Sequence, residues 1–277
     1  MKKVMALKEA IGMIDDGQML AIGGNVLHRA PMAAVREIAR QEKKNLKLVK
    51  TAGAHDIDLL CAMDCVYSVD AGFVSYESKY GLASHYRKGV QTGKIIGNEH
   101  ACYTVICALR AASMNVPFMP VHGLKAGDLI LKNDYFVVVE DPFSGEPVTL
   151  VKSLVPDVAI IHVQECDARG NAFIYGPKFE DVLLSRAAKK VIITTEQLVP
   201  ESRTNLHAER VDIPGFLVSA VVLAPNGAAP ASCYKKYDID DKSLTSFISM
   251  KNKADVKEYL KTYEAKDYYG ERRGMYI

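Results

Sequence analysis

Three unbroken apolar runs, at 157–163, 191–195 and 217–223, constrain this chain more than any other feature. A strand with one wet face alternates apolar and polar residues. These runs do not alternate, so each reads as a strand buried on both faces. Helical periodicity at 179–189 separates the first two. The same rhythm starts at the N-terminus. A helix at 7–14 stops at Asp16-Gly17, and an apolar strand at 19–23 runs into Gly23-Gly24. Pro31, in the first-turn position that proline tolerates, opens a helix to about 41. A strand at 46–51, a helix at 56–63 and a strand at 66–71 follow. Residues 99–114 read as one long helix ended by the prolines at 117 and 120, 136–139 as a strand, and 253–266 as a charged helix. Helices alternating with doubly buried strands specify an α/β fold, a mostly parallel open sheet with helices on both faces. The 277 residues read as one domain with a charged helical C-terminal tail from about 250.

Composition removes several function classes. With 35 basic and 33 acidic residues the net charge is +2, which gives no electrostatic reason to expect nucleic acid or an anionic membrane as partner. The best apolar stretch, 216–225, is far short of the roughly 20 residues needed to span a bilayer. Lys8 and Glu9 interrupt the first apolar run, so no signal peptide is expected and the location expected is cytoplasmic. None of the six cysteines forms a C-x-x-C pair, and several sit in apolar patterns; they read as buried, reduced thiols. The seven histidines show no metal-ligand spacing, so no metal site is expected, and each reads as a surface or hydrogen-bonded core residue. The G-x-S-x-G, G-x-G-x-x-G and G-K-[ST] motifs are all missing.

In parallel sheets ligands collect beyond the carboxyl ends of the strands. The loops that matter are therefore Gly23-Gly24-Asn25, Ala52-Gly53, 72–80 and 225–227. Gly23 and Gly24 either let backbone N–H groups approach an anion or simply make a tight strand-to-helix turn. Glu99 is either a helix-start carboxylate favoured by the dipole or a cleft acid/base. Ser75, Glu77 and Ser78 are either turn chemistry or a hydroxyl-rich wall. Arg87, within 85–88, either lies on a solvated helix face or meets a substrate carboxylate.

In order along the chain, these segments resemble the α (A) subunits of class I coenzyme A transferases of the glutaconate CoA-transferase type. The likeness rests on 19–24 with Arg29-Ala30-Pro31, on Gly93-Lys94 through Pro120, on 158–162 with Asp167 to Asn171, on 178–181 with Thr195-Glu196, and on 213–215 with 220–228. It spans roughly 4–240. Gly72, Ser75, Glu77, Ser78 and Glu99 look closer to a hydrolase branch that opens steroid-derived rings on CoA, where the matching α-subunit glutamate is catalytic. Two positions depart from the pattern: Ser219 stands where Asp is frequent, and Ala229 ends a stretch where Gly-Ala-His is frequent. The resemblance implies a NagB-RpiA-like fold and an acyl-CoA substrate, with CoA passed to a small carboxylic acid and no permanently bound cofactor. It also implies a β subunit, in an α2β2 or αβ assembly, whose Ser-Glu-Asn-Gly-like motif carries the attacking glutamate. Glu77, Glu99, Glu165 and Glu196 are followed by Ser, His, Cys and Gln, so none stands in such a motif. Glu99 would then be an acid/base or an orienting carboxylate. Gly23, Gly24, Asn25, Ser75, Ser78 and Arg87 would line the substrate, with oxyanion donors near Gly24 and Asn25. An acyl-CoA hydrolase or decarboxylase on the same scaffold, and a non-catalytic small-molecule binder, are the other readings.

Overall fold

Seven parallel strands form the spine of the chain in a computed structural model, which describes residues 3–122, 124 and 128–272. The described residues form eleven strands in all: β1 (Met19–Ile22), β2 (Leu46–Gly53), β3 (Val66–Val74), β4 (Ile96–Glu99), β5 (Phe118–Val121), β6 (Phe136–Glu140), β7 (Pro147–Lys152), β8 (Val158–Cys166), β9 (Ala172–Phe173), β10 (Lys190–Leu198) and β11 (Ala220–Leu223). The main sheet runs β11-β10-β8-β1-β2-β3-β4, with the short β9 added antiparallel on β8. Every adjacent pair along that path is parallel.

Period-two alternation sends successive residues to opposite faces. Leu20, Leu48, Ile160 and Ile192 join one core with Ile11, Val35, Leu59 and Leu260 from the helices Leu7–Gly12, Met32–Arg40, His55–Ala62 and Lys253–Asp267. Their neighbours Ala21, Val49, Ile161 and Ile193 join a second core with Val105, Leu109 and Leu184 from Cys102–Ser113 and Asp181–Ala187. The sheet is therefore covered on both faces, as the apolar runs require; the run at 217–223 is strand only from Ala220, because Gly215–Leu217 forms a 3-10 turn ahead of it. The chain starts in the middle at β1, builds outward to β4, then returns to build β8, β10 and β11 on the other side. The carboxyl ends of β1 and β8 thus part at a topological switch point, where open α/β sheets hold ligands.

Two sequence expectations are corrected. The stretch 99–114 is not one helix. Ile96–Glu99 pairs with Ser68, Val69, Asp70 and Ala71 as the edge strand β4, and the helix begins only at Cys102. Gly97 and Asn98 are poor strand formers, and hydrogen bonding to β3 overrides that preference. Around 118–152 a small antiparallel sheet, β5-β7-β6, stands where only 136–139 was read as a strand. Its outer residues Val137, Val138 and Val139 are exposed, so its pattern lacks a clean apolar face.

The charged C-terminal helix is present at Lys253–Asp267, capped by the Asn252 side chain accepting from the Asp255 N–H at 3.0 Å. Asp267 at its end is buried and accepts Arg36 Nε at 2.8 Å, Arg36 Nη2 at 2.6 Å and Arg40 Nη2 at 2.7 Å. Removing one partner of such a pair strands a buried charge, so Asp267→Ala is expected to cost about 3–5 kcal/mol in urea unfolding. Lys261→Ala, which loses only an exposed contact to Glu258, is expected to leave the midpoint unchanged.

Candidate active site

Gly24 is required by the protein's own backbone, and Gly23 by a buried side chain. Gly24 has φ +70°, and a Cβ there would lie 2.5 Å from the Arg29 carbonyl. A Cβ on Gly23 would lie 2.6 Å from Asp181 Oδ1. The N–H groups of the turn, including those of Gly24 and Asn25 expected to serve an oxyanion, are engaged inside the chain. Gly23 N–H donates to Ile160 O at 2.8 Å, Gly24 N–H to Asp181 Oδ1 at 2.8 Å, and Asn25 N–H to His28 O at 2.9 Å. The oxyanion role read for Gly24 and Asn25 is therefore corrected: their loop is a tight turn closed by its own hydrogen bonds. Two buried ion pairs hold it. Arg29 pairs with Asp181 and donates to His162 O at 2.9 Å. Lys50 pairs with Asp56 and donates to Gly23 O at 2.9 Å.

Beside this turn, His162 of β8 bridges Thr194 Oγ1 at 2.9 Å and Glu196 Oε1 at 2.8 Å on β10. Glu196 also accepts from Tyr237 OH and, at 2.8 Å, from the Asn226 N–H. Burial works to raise the Glu196 carboxyl, but these donors outweigh it and hold it below the usual glutamate range. Cys233 completes a group within ligand distance, and burial pushes its thiol up to about 12. With both ring nitrogens of His162 and both oxygens of Glu196 engaged, the group is satisfied as a hydrogen-bond network.

The second centre lies at the ends of β3 and β4. Glu99, the last residue of β4, is exposed and lines a cavity of about 300 Å³ with Gly72, Phe73, Val74, Tyr86, Asn98, His100 and Leu129. Its carboxylate accepts no hydrogen bond from the described residues. Its main chain is fixed: Asn133 Nδ2 donates to Glu99 O at 2.7 Å. The next residue, His100, is buried and spans Asp70 Oδ1 at 3.2 Å and Thr104 Oγ1 at 3.3 Å. Asn98 Nδ2 reaches the same Asp70 oxygen at 3.1 Å. The helix-start reading of Glu99 is therefore corrected; it is a strand-end residue facing open space. Gly72 lets the helix Cys102–Ser113 come close, since a Cβ there would lie 2.2 Å from Cys102 N.

The remaining predicted residues scatter around this cavity. Ser75 Oγ donates to Gly81 O at 2.9 Å, which is turn chemistry, and Ser78 is exposed on the one-turn helix Glu77–Tyr80. The stretch 72–80 is thus not all loop, because β3 runs on to Val74. Arg87 lies in an adjoining groove that shares Val74 and Tyr86 with the Glu99 cavity. Gly23, Gly24 and Asn25 belong to the other centre, and the carboxyl edge of the sheet connects the two. Lys50 reaches Gly23, and Cys102 Sγ donates to the carbonyl of the next residue, Thr51, at 3.4 Å. Cys102 is exposed, against expectation, while Cys61, Cys65, Cys107, Cys166 and Cys233 are buried and free. Sequence reasoning missed Arg29–Asp181, Lys50–Asp56 and His162–Glu196. The available signal was a polar residue in an otherwise apolar stretch of a central strand, Lys50 in β2 and His162 in β8, both buried.

A family model for coenzyme A transferases matches residues 4–224. The chain belongs to the coenzyme A transferase family. Within that family it is 32% identical to the A subunit of glutaconate CoA-transferase from Acidaminococcus fermentans, over 97% of this chain and 90% of that one. The crystal structure of that transferase matches with a TM-score of 0.91 at 31% identity, covering 98% of this chain and 93% of that chain. The expected resemblance to a glutaconate-type A subunit is borne out, as is the fold. A crystal structure of a variant of the decarboxylase AibA/AibB matches with a TM-score of 0.85 at 34% identity, over 95% of this chain and 98% of that one. The cholesterol ring-cleaving hydrolase IpdA subunit of Rhodococcus jostii is 30% identical over 94% of this chain and 91% of its own length. The chain spans 59% of the length of a 36%-identical Archaeoglobus fulgidus protein, with 94% of this chain covered. No described helix of this family member is long and apolar enough to cross a membrane.

Proposed function

We propose that this chain is the A subunit of a two-subunit CoA-transferase, working with a B subunit to move CoA between an acyl-CoA and a small carboxylic acid. The CoA thioester is a substrate, with no resident cofactor. The observation that carries this reading is the similarity over nearly the whole chain to the A subunit of glutaconate CoA-transferase; Glu99, whose carboxylate meets none of the described residues, ends a strand and faces a cavity of about 300 Å³. The partner brings the attacking glutamate. Glu99 acts on the water, acid or thioester as acid/base or orienting group, Gly72 lets the helix Cys102–Ser113 pack close behind the cavity wall, and Arg87 in the adjoining groove attracts the acid.

A second reading, hydrolysis or decarboxylation on the same scaffold, is favoured by Glu99 itself. A glutamate there can activate water, and this chain is similar to subunits of a hydrolase and a decarboxylase. Product analysis separates the two. The complex is given an acyl-CoA with and without isotopically labelled acetate. Transfer predicts labelled acetyl-CoA and little free CoA. Free CoA formed at the same rate without acetate would replace transfer by hydrolysis.

A further inference from the structure

The cavity at Glu99 has a second polar wall. Tyr86, half-buried on the helix Ser84–Gln91, lines this cavity and also the groove that holds Arg87. Its main chain is fixed. The Tyr86 N–H donates to Asp58 Oδ1 at 2.8 Å, and Asp58, buried on the helix His55–Ala62, accepts Tyr76 OH at 3.1 Å through its other oxygen. Tyr86 packs against the apolar core on that face of the sheet. Its hydroxyl, by contrast, forms no hydrogen bond with the described residues. The phenol oxygen lies over Gly97 of β4, where a Cβ would stand 3.2 Å from it. Gly97 and Glu99 are two apart on one strand, so both belong to the same face, with Cα atoms roughly 7 Å apart. Glycine within a strand weakens it, but at 97 it leaves the room that the hydroxyl occupies. Burial, then the neighbouring Cys61, Glu99 and Asp70, push the phenol up to about 12, so it stays protonated and remains a donor in neutral solution.

An O–H donor without a partner beside a carboxylate without a partner suits a ligand oxygen that binds both. Resting on the acyl-CoA reading above, we propose that Tyr86 is a second catalytic residue of the Glu99 cavity, whose O–H donates to the oxygen of the water or small acid on which Glu99 acts. The phenol transfers no proton. It binds one lone pair of that oxygen and so fixes the direction in which the rest of the group faces, while Glu99 engages it from the other side. With a carboxylic acid in place, the same O–H holds one carboxyl oxygen and leaves the other turned to the acyl carbonyl. Gly97 is the specificity element of this arrangement, because any side chain there would displace the donor.

The test is a double-mutant cycle on the assembled two-subunit enzyme: Tyr86→Phe, Gly97→Ala and the two together. The readout is steady-state consumption of acyl-CoA, whichever product forms, beside a thermal melt. Tyr86→Phe keeps the ring and its packing and removes only the donor. It is expected to lower kcat about tenfold or more, to change KM by less than about threefold, and to leave the melting temperature unchanged. Gly97→Ala sets a methyl carbon 3.2 Å from the phenol oxygen and is expected to lower kcat by a similar factor. In the Tyr86→Phe background the oxygen is gone and the methyl has room, so the double variant is expected to be no slower than Tyr86→Phe alone. An unchanged kcat in Tyr86→Phe, or losses that multiply in the double variant, would overturn the assignment. Glu99→Gln, assayed beside them, separates the two readings. If it is slow and Tyr86→Phe is not, this inference fails and the functional reading stands. If Tyr86→Phe is slow and Glu99→Gln is not, the donor stands and the acid/base role of Glu99 fails.

Discussion

Glu99→Gln is expected to lower turnover of the assembled enzyme roughly tenfold or more while leaving its melting temperature unchanged. The substitution keeps the shape and removes the charge and basicity. Glu99 is exposed, its carboxylate bonds to none of the described residues, and its backbone is held by Asn133 rather than by its own side chain. His100, the neighbour that does carry structure, keeps its contacts to Asp70 and Thr104 in the variant. The loss should fall on kcat, since a group that moves or attracts a proton acts in the transition state. Steady-state kinetics beside a thermal melt check this. Unchanged kinetics would reduce Glu99 to a passive part of the cavity wall.

The chain by itself is expected to show no acyl-CoA-dependent activity, and addition of the B subunit is expected to restore it. An attacking carboxylate must be ionised, accessible and close to oxyanion donors. Four glutamates near the carboxyl edge, Glu165, Glu196, Glu180 and Glu99, each fail one condition or another. Glu165 is held by Arg203 at 2.7 and 3.1 Å and by Tyr175. Glu196 is tied by His162, Tyr237 and Asn226. Burial raises Glu180 above the usual glutamate range, which favours its neutral form. Glu99 is free, but the glycine-turn N–H groups that would have served an oxyanion are engaged with Ile160, Asp181 and His28. The proposed function therefore assigns the missing pieces, nucleophile and donors, to the partner.

The fold was readable because its signal is redundant. Runs such as 158–163 bury both faces, and neither a helix nor an edge strand accounts for them as well. Where local and tertiary preferences disagreed, the sequence misled. Ile96–Glu99 carries Gly97 and Asn98 and becomes a strand only because β3 offers an unpaired edge. β5 and β7 are short and carry prolines, so their pairing with β6 has no local signature. At the site, the sequence left Glu99 open between a helix-start carboxylate and a cleft acid/base; the structure puts it at the end of β4 beside a cavity, an element the sequence did not indicate. The Gly23-Gly24 pair had two equally open meanings. Only the distances of hypothetical Cβ atoms to Arg29 and Asp181 decide for the turn. Arg29–Asp181 and His162–Glu196 join residues more than 30 positions apart, and no motif spacing encodes such pairs.

The central claim, that this polypeptide is half of a catalyst, is tested most directly by intact-mass spectrometry of both chains quenched during turnover with acyl-CoA. This chain is expected to keep its unmodified mass, with any CoA adduct on its partner. An increase of the size of CoA on this chain, or acyl-CoA turnover by this chain without its partner, would contradict the account.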